Sequence, residues 1–467
     1  MPVIGEGTYG CVHSPSLKCK SSKQINYTNK VSKTLKGEDA NDELKELSLL
    51  KKIDTEHKYY LGYPEKCIPS NNKDTIDEIA KCNNYEKYLK WNNTALQKDT
   101  RLLIMKNGGA SLEDYVYTLS NNMIRSETLD NIEVMFINFI NIIRGVKFLI
   151  DNKLSHRDLK EGNIVYNEET QTMRMIDFGM LAKFSKMKKE AINDDYFPGD
   201  MWWSVPIYAT YLNKNRFDSA KYNLNKNFAR YSKRLSNEIL INISSDVGSI
   251  KSVFFKRVTK EPTILKSIMM KELNETYKLI ETCSHNEFIE KYCKICDVHN
   301  LGLTLLSMLT LLEPNFEKKN ENKVLSKRFL TDIRTLGFIM VSANMKEHIE
   351  IDDVLSEYER ILESNNYLSR NGYRINRDKM AVKDNASPEQ QPDVILVQES
   401  PRRDDSVRDL LDGCPDGKER NPNTKRCVNK CKSGYVRDKT FKCKSTRGRG
   451  RPRKEVNGSQ TKKNKKN

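Results

Sequence analysis

Residues 3–12 and 31–35 show the short two-residue alternation of β-strands and flank a glycine-rich turn, and "RLLIM" (101–105) continues that pattern. Between them "DELKELSLLKKI" (42–53) places its apolar residues at helical spacing. The pattern predicts a small β-rich lobe carrying one helix. From "SLEDYV" onward the period changes: "NIEVMFINFINIIRGVKFLIDN" (131–152) predicts a long amphipathic helix, and helical patterning returns at 297–312 and 325–365. Ile164–Tyr166 and Met173–Ile176 interrupt it, alternating like a hairpin around a polar turn. The expected class is α+β, a β-rich lobe followed by a mainly helical one.

Three stretches fall outside this plan. The block 209–291 is rich in Lys, Asn and Ser, with moderate helical patterning near 261–281 and no motif that assigns it a function. Beyond about residue 370 periodicity fades, and "DNASPEQQPDVILVQESPRRDD" reads as a flexible linker. After it "CPDGKERNPNTKRC" (414–427) and "CKSGYVRDKTFKC" (431–443) form a weak duplication, two short loops each bounded by Cys. The expected organisation is a domain over 1–366, a linker over 367–413, the Cys-bounded repeats over 414–443 and a basic tail over 444–467.

Charge separates these parts. Residues 401–467 hold 22 Lys/Arg and 8 Asp/Glu, so +14 of the chain's +17 lies there and an acidic partner such as nucleic acid is expected to meet the tail. The opening "MPVIGEGTYGCV" has no basic n-region or apolar run, and the longest apolar stretch, "NLGLTLLSMLTLL" (300–312), is short of the roughly 20 residues a membrane span needs. No membrane insertion is expected, and the location expected is intracellular, in cytoplasm or nucleus. Most of the 11 Cys are therefore expected to be reduced.

The candidate chemistry is phosphoryl transfer. In "IGEGTYGCV", Ile4, Gly5, Glu6, Gly7, Thr8, Tyr9, Gly10, Cys11 and Val12 predict a hairpin lid whose backbone N–H groups close over phosphates. Lys33 in "NKVSK" sits on a strand where its ammonium can hold phosphates if a carboxylate fixes it, and Glu46 on the following helix is the expected partner. In "SHRDLKEGN", Asp158 can orient a hydroxyl and accept its proton, and Lys160 can neutralise a transferred phosphoryl group. Asn163 can ligate Mg²⁺ beside Asp177 of "DFG". Asp158 and Asp177 are 19 positions apart, and the hairpin between them returns both to one cleft edge.

The order of glycine loop, strand Lys, helix Glu, His-Arg-Asp-x-x-x-x-Asn and Asp-Phe-Gly resembles the eukaryotic protein kinase family over about residues 1–366. The resemblance implies a two-lobed fold, ATP with Mg²⁺ or Mn²⁺, and protein substrates. "DVHNLGLTLLSML" resembles the family's buried central helix, with Asp297 bracing the catalytic loop, and "HIEIDDVLSEYERIL" its closing helix. Lys160 two residues after Asp158 is similar to the Ser/Thr-specific branch. The compact glycine loop, the Cys-bounded repeats and the insertion at 209–291 resemble protein kinases of large, iridovirus-like cytoplasmic DNA viruses, which implies packaging in a virion as a further location.

Two departures accompany the resemblance. Val205-Pro206-Ile207 stands where the family has Ala-Pro-Glu, and His348 where it has the Arg that pairs with that Glu. Arg157, beside the catalytic Asp, implies pairing with a phosphate on Ser185, Tyr196 or Ser204, or with the standing charge of Asp194 and Asp195. In the tail "RGRGRPRK" (447–454) resembles an AT-hook, in which Arg449, Arg451 and Arg453 would meet the minor groove of A·T-rich DNA; a solvated basic tail or a nuclear-import signal reads equally well. The alternatives to an active kinase are a pseudokinase scaffold and a DNA-tethered protein whose tail carries the main function.

Overall fold

The structure is a computed structural model; it describes residues 3–7, 10–20, 25–82, 99–122, 126–195, 205–245, 262–318 and 326–370, with short strands at 373–374, 382–383, 418–420, 427–429, 435–437 and 443–445. Contacts divide the chain into two units, Met1–Ala386 and Ser387–Asn467. A two-stranded pair, Tyr373–Arg374 with Val382–Lys383, lies within the first unit and within the segment read as linker.

The first unit begins with β1 (Val3–Gly7), β2 (Gly10–His13) and β3 (Lys30–Lys36), followed by helix α1 (Gly37–Ile53). After these come β4 (Glu65–Cys67), α2 (Lys73–Ala80) and β5 (Thr100–Lys106). The five strands form one antiparallel sheet in the order β1-β2-β3-β5-β4. Strand alternation gives the sheet two apolar faces. Leu35 and Leu103 pack against Ala40 and Leu44 of α1, while Cys11, Leu102 and Ile104 pack against Ile79 of α2. Acids Glu38 and Asp39 open α1 and Lys51 and Lys52 close it, matching the helix dipole at both ends.

The chain then leaves the sheet through Asn107, Gly108 and Gly109. Gly109 has φ +95°, and a Cβ there would lie 2.0 Å from the Tyr166 carbonyl oxygen, so only glycine fits this crossing. Strand β6 (Ala110–Ser111), α3 (Leu112–Asn122), α4 (Ser126–Asp151) and β7 (Leu154–Ser155) follow. The predicted hairpin is β8 (Ile164–Asn167) with β9 (Thr172–Met175), paired antiparallel. Next come β10 (Ala182–Lys183) and α5 (Phe184–Ile192).

Residues 209–291 fold mainly as α6 (Lys214–Lys226), α7 (Phe228–Ser245) and α8 (Pro262–Thr282). Phe217, Leu224, Leu273 and Tyr277 place this insertion in the main core. Thr276 Oγ1 accepts from Met345 N at 2.9 Å, and Glu272 Oε2 accepts from Ala343 N at 2.8 Å, fixing α8 to a loop of the helical lobe. The lobe is completed by α9 (His285–Lys318), α10 (Lys327–Met340), α11 (Ile351–Ser364) and the short α12 (Tyr367–Arg370). The window His285–Leu312 is long and apolar enough to cross a membrane, but 89% of it is buried within the protein. Its apolar residues are those of a core helix.

Reduced thiols were expected for most of the 11 Cys; Cys283, Cys293 and Cys296 are free, whereas Cys11 with Cys82 and Cys19 with Cys67 are disulfide-bonded, with Cα separations of 6.1 and 5.8 Å. The sheet and α2 bring together cysteines 71 and 48 positions apart, a proximity that spacing does not reveal. His348 is buried, and desolvation pushes its imidazole down to about 4, so it is neutral and does not stand in for a guanidinium.

In the second unit Lys418–Arg420 pairs with Cys427–Asn429, and Tyr435–Arg437 with Cys443–Ser445. The second strand of each pair begins at the closing Cys of a repeat, Cys427 or Cys443, and runs two residues past it. Arg449, Arg451 and Arg453 lie outside the described residues, as do Cys414 and Cys431.

Tyr358 of α11 donates to the Phe136 carbonyl of α4 at 2.7 Å, both deep in the core. Tyr358→Phe is expected to lower unfolding free energy by about 1–2 kcal/mol, the value of one buried hydrogen bond, measured by urea denaturation.

Candidate active site

The glycine hairpin forms as expected, with Gly5 opposite Val12, Glu6 opposite Cys11 and Gly7 opposite Gly10. Ile4, Gly5 and Glu6 are exposed, whereas Thr8 and Tyr9 lie outside the described residues. A Cβ on Gly10 would meet the Thr34 carbonyl oxygen at 2.0 Å, so this glycine lets β2 lie close on β3. Val12 is registered opposite Lys33.

Lys33 Nζ donates to Glu43 Oε2 at 2.8 Å and to Asp177 Oδ1 at 3.0 Å. Burial would lower the Lys33 pKa, but the two carboxylates outweigh it and hold the ammonium above its ordinary range. Partial desolvation likewise opposes ionisation of Asp177, and Lys33, helped by His156 and Lys160, overcomes it to hold that carboxyl below its usual value. Desolvation raises Glu43 against the pull of Lys33.

The helix partner of Lys33 is therefore Glu43, not the expected Glu46. The two acids are three positions apart and neighbours on α1, so the sequence pattern offers both and only the helix's rotation chooses. Glu46 Oε2 is buried without a hydrogen-bond partner among the described residues. Desolvation pushes the Glu46 carboxyl up to about 7 despite the attraction of Lys186, with Asp42 adding to the rise.

The loop "SHRDLKEGN" is held from beneath. Asp297 of α9 is 1% exposed and accepts from the backbone N–H groups of His156 at 2.7 Å and Arg157 at 2.9 Å. His156 Nε2 lies 3.0 Å from the Ile176 carbonyl oxygen, and its ring packs on Phe178 with centroids 4.8 Å apart. Phe178 also meets Tyr60 edge to face at 6.3 Å, linking the loop to the segment after α1. Arg157 and Asp177 have φ of 68° and 57°, left-handed conformations held by this network.

Above that floor, Asp158 Oδ2 accepts from Lys160 Nζ and from Asn163 Nδ2, both at 2.9 Å. Asn163 Nδ2 also donates to the Asp158 carbonyl at 2.7 Å, and Ile176 N donates to the Asn163 carbonyl at 2.9 Å. Because the Asn163 amide nitrogen faces Asp158, its oxygen remains an acceptor for another group. The side chain of Asp177 is 45% exposed, so a second oxygen acceptor is offered beside Lys33. Among the described residues no three His, Cys, Asp or Glu side chains cluster as metal ligands. Two oxygen donors with open surroundings fit Mg²⁺, which keeps waters and phosphate oxygens in its shell.

Arg157 meets Glu190 of α5, Nη1 to Oε2 at 3.5 Å. Asp194 accepts from Asn215 N at 2.9 Å and Asn215 Nδ2 at 2.7 Å. Ser185 is exposed on α5; Tyr196 and Ser204 lie outside the described residues. Sequence reasoning missed Glu190 because no motif marks it. Its place is set by α5, which Phe184, Met187 and Ala191 bury at i, i+3 and i+7.

Residues 1–211 match the family model of the protein kinase domain. Over 60 residues the chain is 40% identical to "Mitogen-activated protein kinase p38b" and to "Mitogen-activated protein kinase p38a", both of Drosophila melanogaster, an overlap of 13% of this chain and 16% of each relative. The chain thus spans only a small part of the curated relatives it matches. The match over residues 1–211 is to a protein kinase domain, which supports a phosphotransferase.

Raising a carboxyl from 4.5 to about 7 means the folded state holds a proton that the unfolded state has lost. The stability associated with Glu46 is therefore fully present below about pH 4.5 and lost as pH rises through about 7. Glu46→Gln is expected to raise the Tm relative to wild type at pH 8 and to leave it near the wild-type value at pH 4.5, measured by calorimetry.

Proposed function

We propose that the chain is an ATP-dependent serine/threonine protein kinase, transferring the γ-phosphate to Ser/Thr hydroxyls of proteins. The observation that supports it most is the joining of Lys33, Glu43 and Asp177 into one ion-paired cluster, with Asp158, Lys160 and Asn163 hydrogen-bonded beside it. These are remote in sequence, and a scaffold without chemistry has no need of such an arrangement.

In this reading Lys33 binds the α and β phosphates, its ammonium oriented by Glu43. The hairpin β1–β2 covers the phosphates with backbone N–H groups. Asp177 and Asn163 would hold the metal, Mg²⁺ or Mn²⁺, which supplies neutralisation of phosphate charge when bound. Asp158 orients the attacking hydroxyl and takes its proton at the carboxylate. Lys160, at hydrogen-bond distance from Asp158, places a positive charge beside the oxygens of the phosphoryl group in flight. The Ser/Thr preference rests on Lys160 standing two residues after Asp158.

The Arg157–Glu190 pair supports activity without phosphorylation, because a resident carboxylate already meets the guanidinium. The tail motif 447–454 would tether the enzyme to A·T-rich DNA, a reading that rests on its sequence. A viral source and an intracellular or virion location rest likewise on the sequence.

Transfer of labelled γ-phosphate to a generic basic protein, followed by phosphoamino-acid separation, tests the proposal. Wild type is expected to yield phosphoserine or phosphothreonine, and Asp158→Ala to lose at least about 100-fold in rate, the low end of general-base contributions. Equal signal from both proteins overturns the enzyme reading.

A further inference from the structure

The insertion carries a strongly charged surface that the catalytic reading leaves unused. Residues 213–238 contain seven Lys/Arg and two acids. Asp218 neutralises Lys214 at 2.7 Å, and Glu238 neutralises Arg234 at 2.8 Å. Lys221 turns inward to the Cys283 carbonyl, and Arg216 donates to Thr210 Oγ1 at 3.1 Å. Lys226, Arg230 and Lys233 are exposed and have no acidic partner among the described residues.

These three cations gather at one corner. Asn227 closes α6 by donating to the Asn223 carbonyl at 3.2 Å and caps α7 by accepting from Arg230 N at 3.1 Å. The corner therefore has a fixed shape. Lys226 Nζ lies 4.3 Å from the centroid of Tyr222, a ring 59% exposed, and Arg230 lies 5.9 Å from that of Tyr231. Aromatic faces hold the cations in place without neutralising them. At its other end α6 is tied to the segment following the candidate catalytic centre, through the two hydrogen bonds from Asn215 to Asp194.

We propose that the α6–α7 corner is a specificity surface that selects protein substrates carrying a run of acidic residues near the phosphorylated hydroxyl. Three uncompensated cations within about two helical turns match a short Asp/Glu segment better than a nucleic-acid backbone, whose binding draws on many more phosphate contacts. The two bonds to Asp194 tie the N-terminal end of α6, whose other end carries this surface, to the segment that follows α5. The inference rests on the protein-kinase reading for its biological meaning, but its binding step does not.

The test uses the full chain and the variant K226E/R230E/K233E, which keeps the basic tail and leaves the candidate catalytic residues untouched. Two fluorescein-labelled Ser peptides are compared, one flanked by Asp/Glu and one by Ala/Gln. By fluorescence anisotropy, wild type is expected to bind the acidic peptide more tightly, and the variant to lose about ten-fold or more for it alone, as charge reversal at an exposed interface predicts. In transfer assays the KM for the acidic peptide rises while kcat on the neutral peptide stays unchanged. Unchanged affinity for the acidic peptide, an equal loss for both peptides, or lost binding of a duplex oligonucleotide with peptide affinity intact overturns the proposal. Peptide selectivity without measurable transfer in wild type overturns the kinase reading and leaves the binding surface standing.

Discussion

Two backbone N–H groups donating to one buried carboxylate hold this site together. Asp297, deep in α9, accepts from His156 and Arg157 and so fixes the backbone immediately before Asp158. A charge-assisted hydrogen bond is worth about 1.5–3 kcal/mol, enough to maintain Arg157 in a left-handed conformation that costs about 1–3 kcal/mol. With that backbone fixed, Asn163 bonds Asp158 and Ile176 bonds the Asn163 carbonyl, so the two acids on either side of hairpin β8–β9 keep their spacing. The constraint runs from the core outward. α9 is a buried core helix, and Asp297 lies within it at 1% exposure.

The β-rich lobe meets this frame through Lys33, whose ammonium is shared by Glu43 of α1 and Asp177. The same cluster links sheet, helix and catalytic loop, so a movement of α1 changes the electrostatics at Asp177. Glu46, one turn further along α1, is a buried acid whose ionisation is opposed by its surroundings. Both acids lie near the cleft, but only one is compensated.

Much of this was legible in the sequence. The strand around Lys33 and the hairpin between Asp158 and Asp177 follow from period and spacing, because each depends on local pattern; the role of Asp297 was legible only through the family resemblance of "DVHNLGLTLLSML". The choice of Glu43 over Glu46 was not legible: they occupy neighbouring positions on one helix, and a small rotation set by the packing of Leu44 and Leu47 decides between them. Glu190 and the Cys11–Cys82 and Cys19–Cys67 pairs escaped for a related reason. Each depends on a long-range approach that only the assembled tertiary structure defines. The insertion was readable as helical in part, but its attachment through Thr276 and Glu272 was not, since single polar residues on a helix face look solvated until a partner loop is placed.

On the proposed function Asp297 supports the loop that would carry phosphoryl transfer, and the steady-state kinetics of Asp297→Asn test this role most directly. The substitution keeps the size of the side chain but removes its charge and turns an amide NH₂ toward one of the two N–H donors. In that role its substitution lowers kcat by about 10- to 100-fold, the equivalent of one charge-assisted hydrogen bond, with the KM for ATP within a few-fold of wild type. A kcat equal to wild type in a folded Asp297→Asn protein would contradict it.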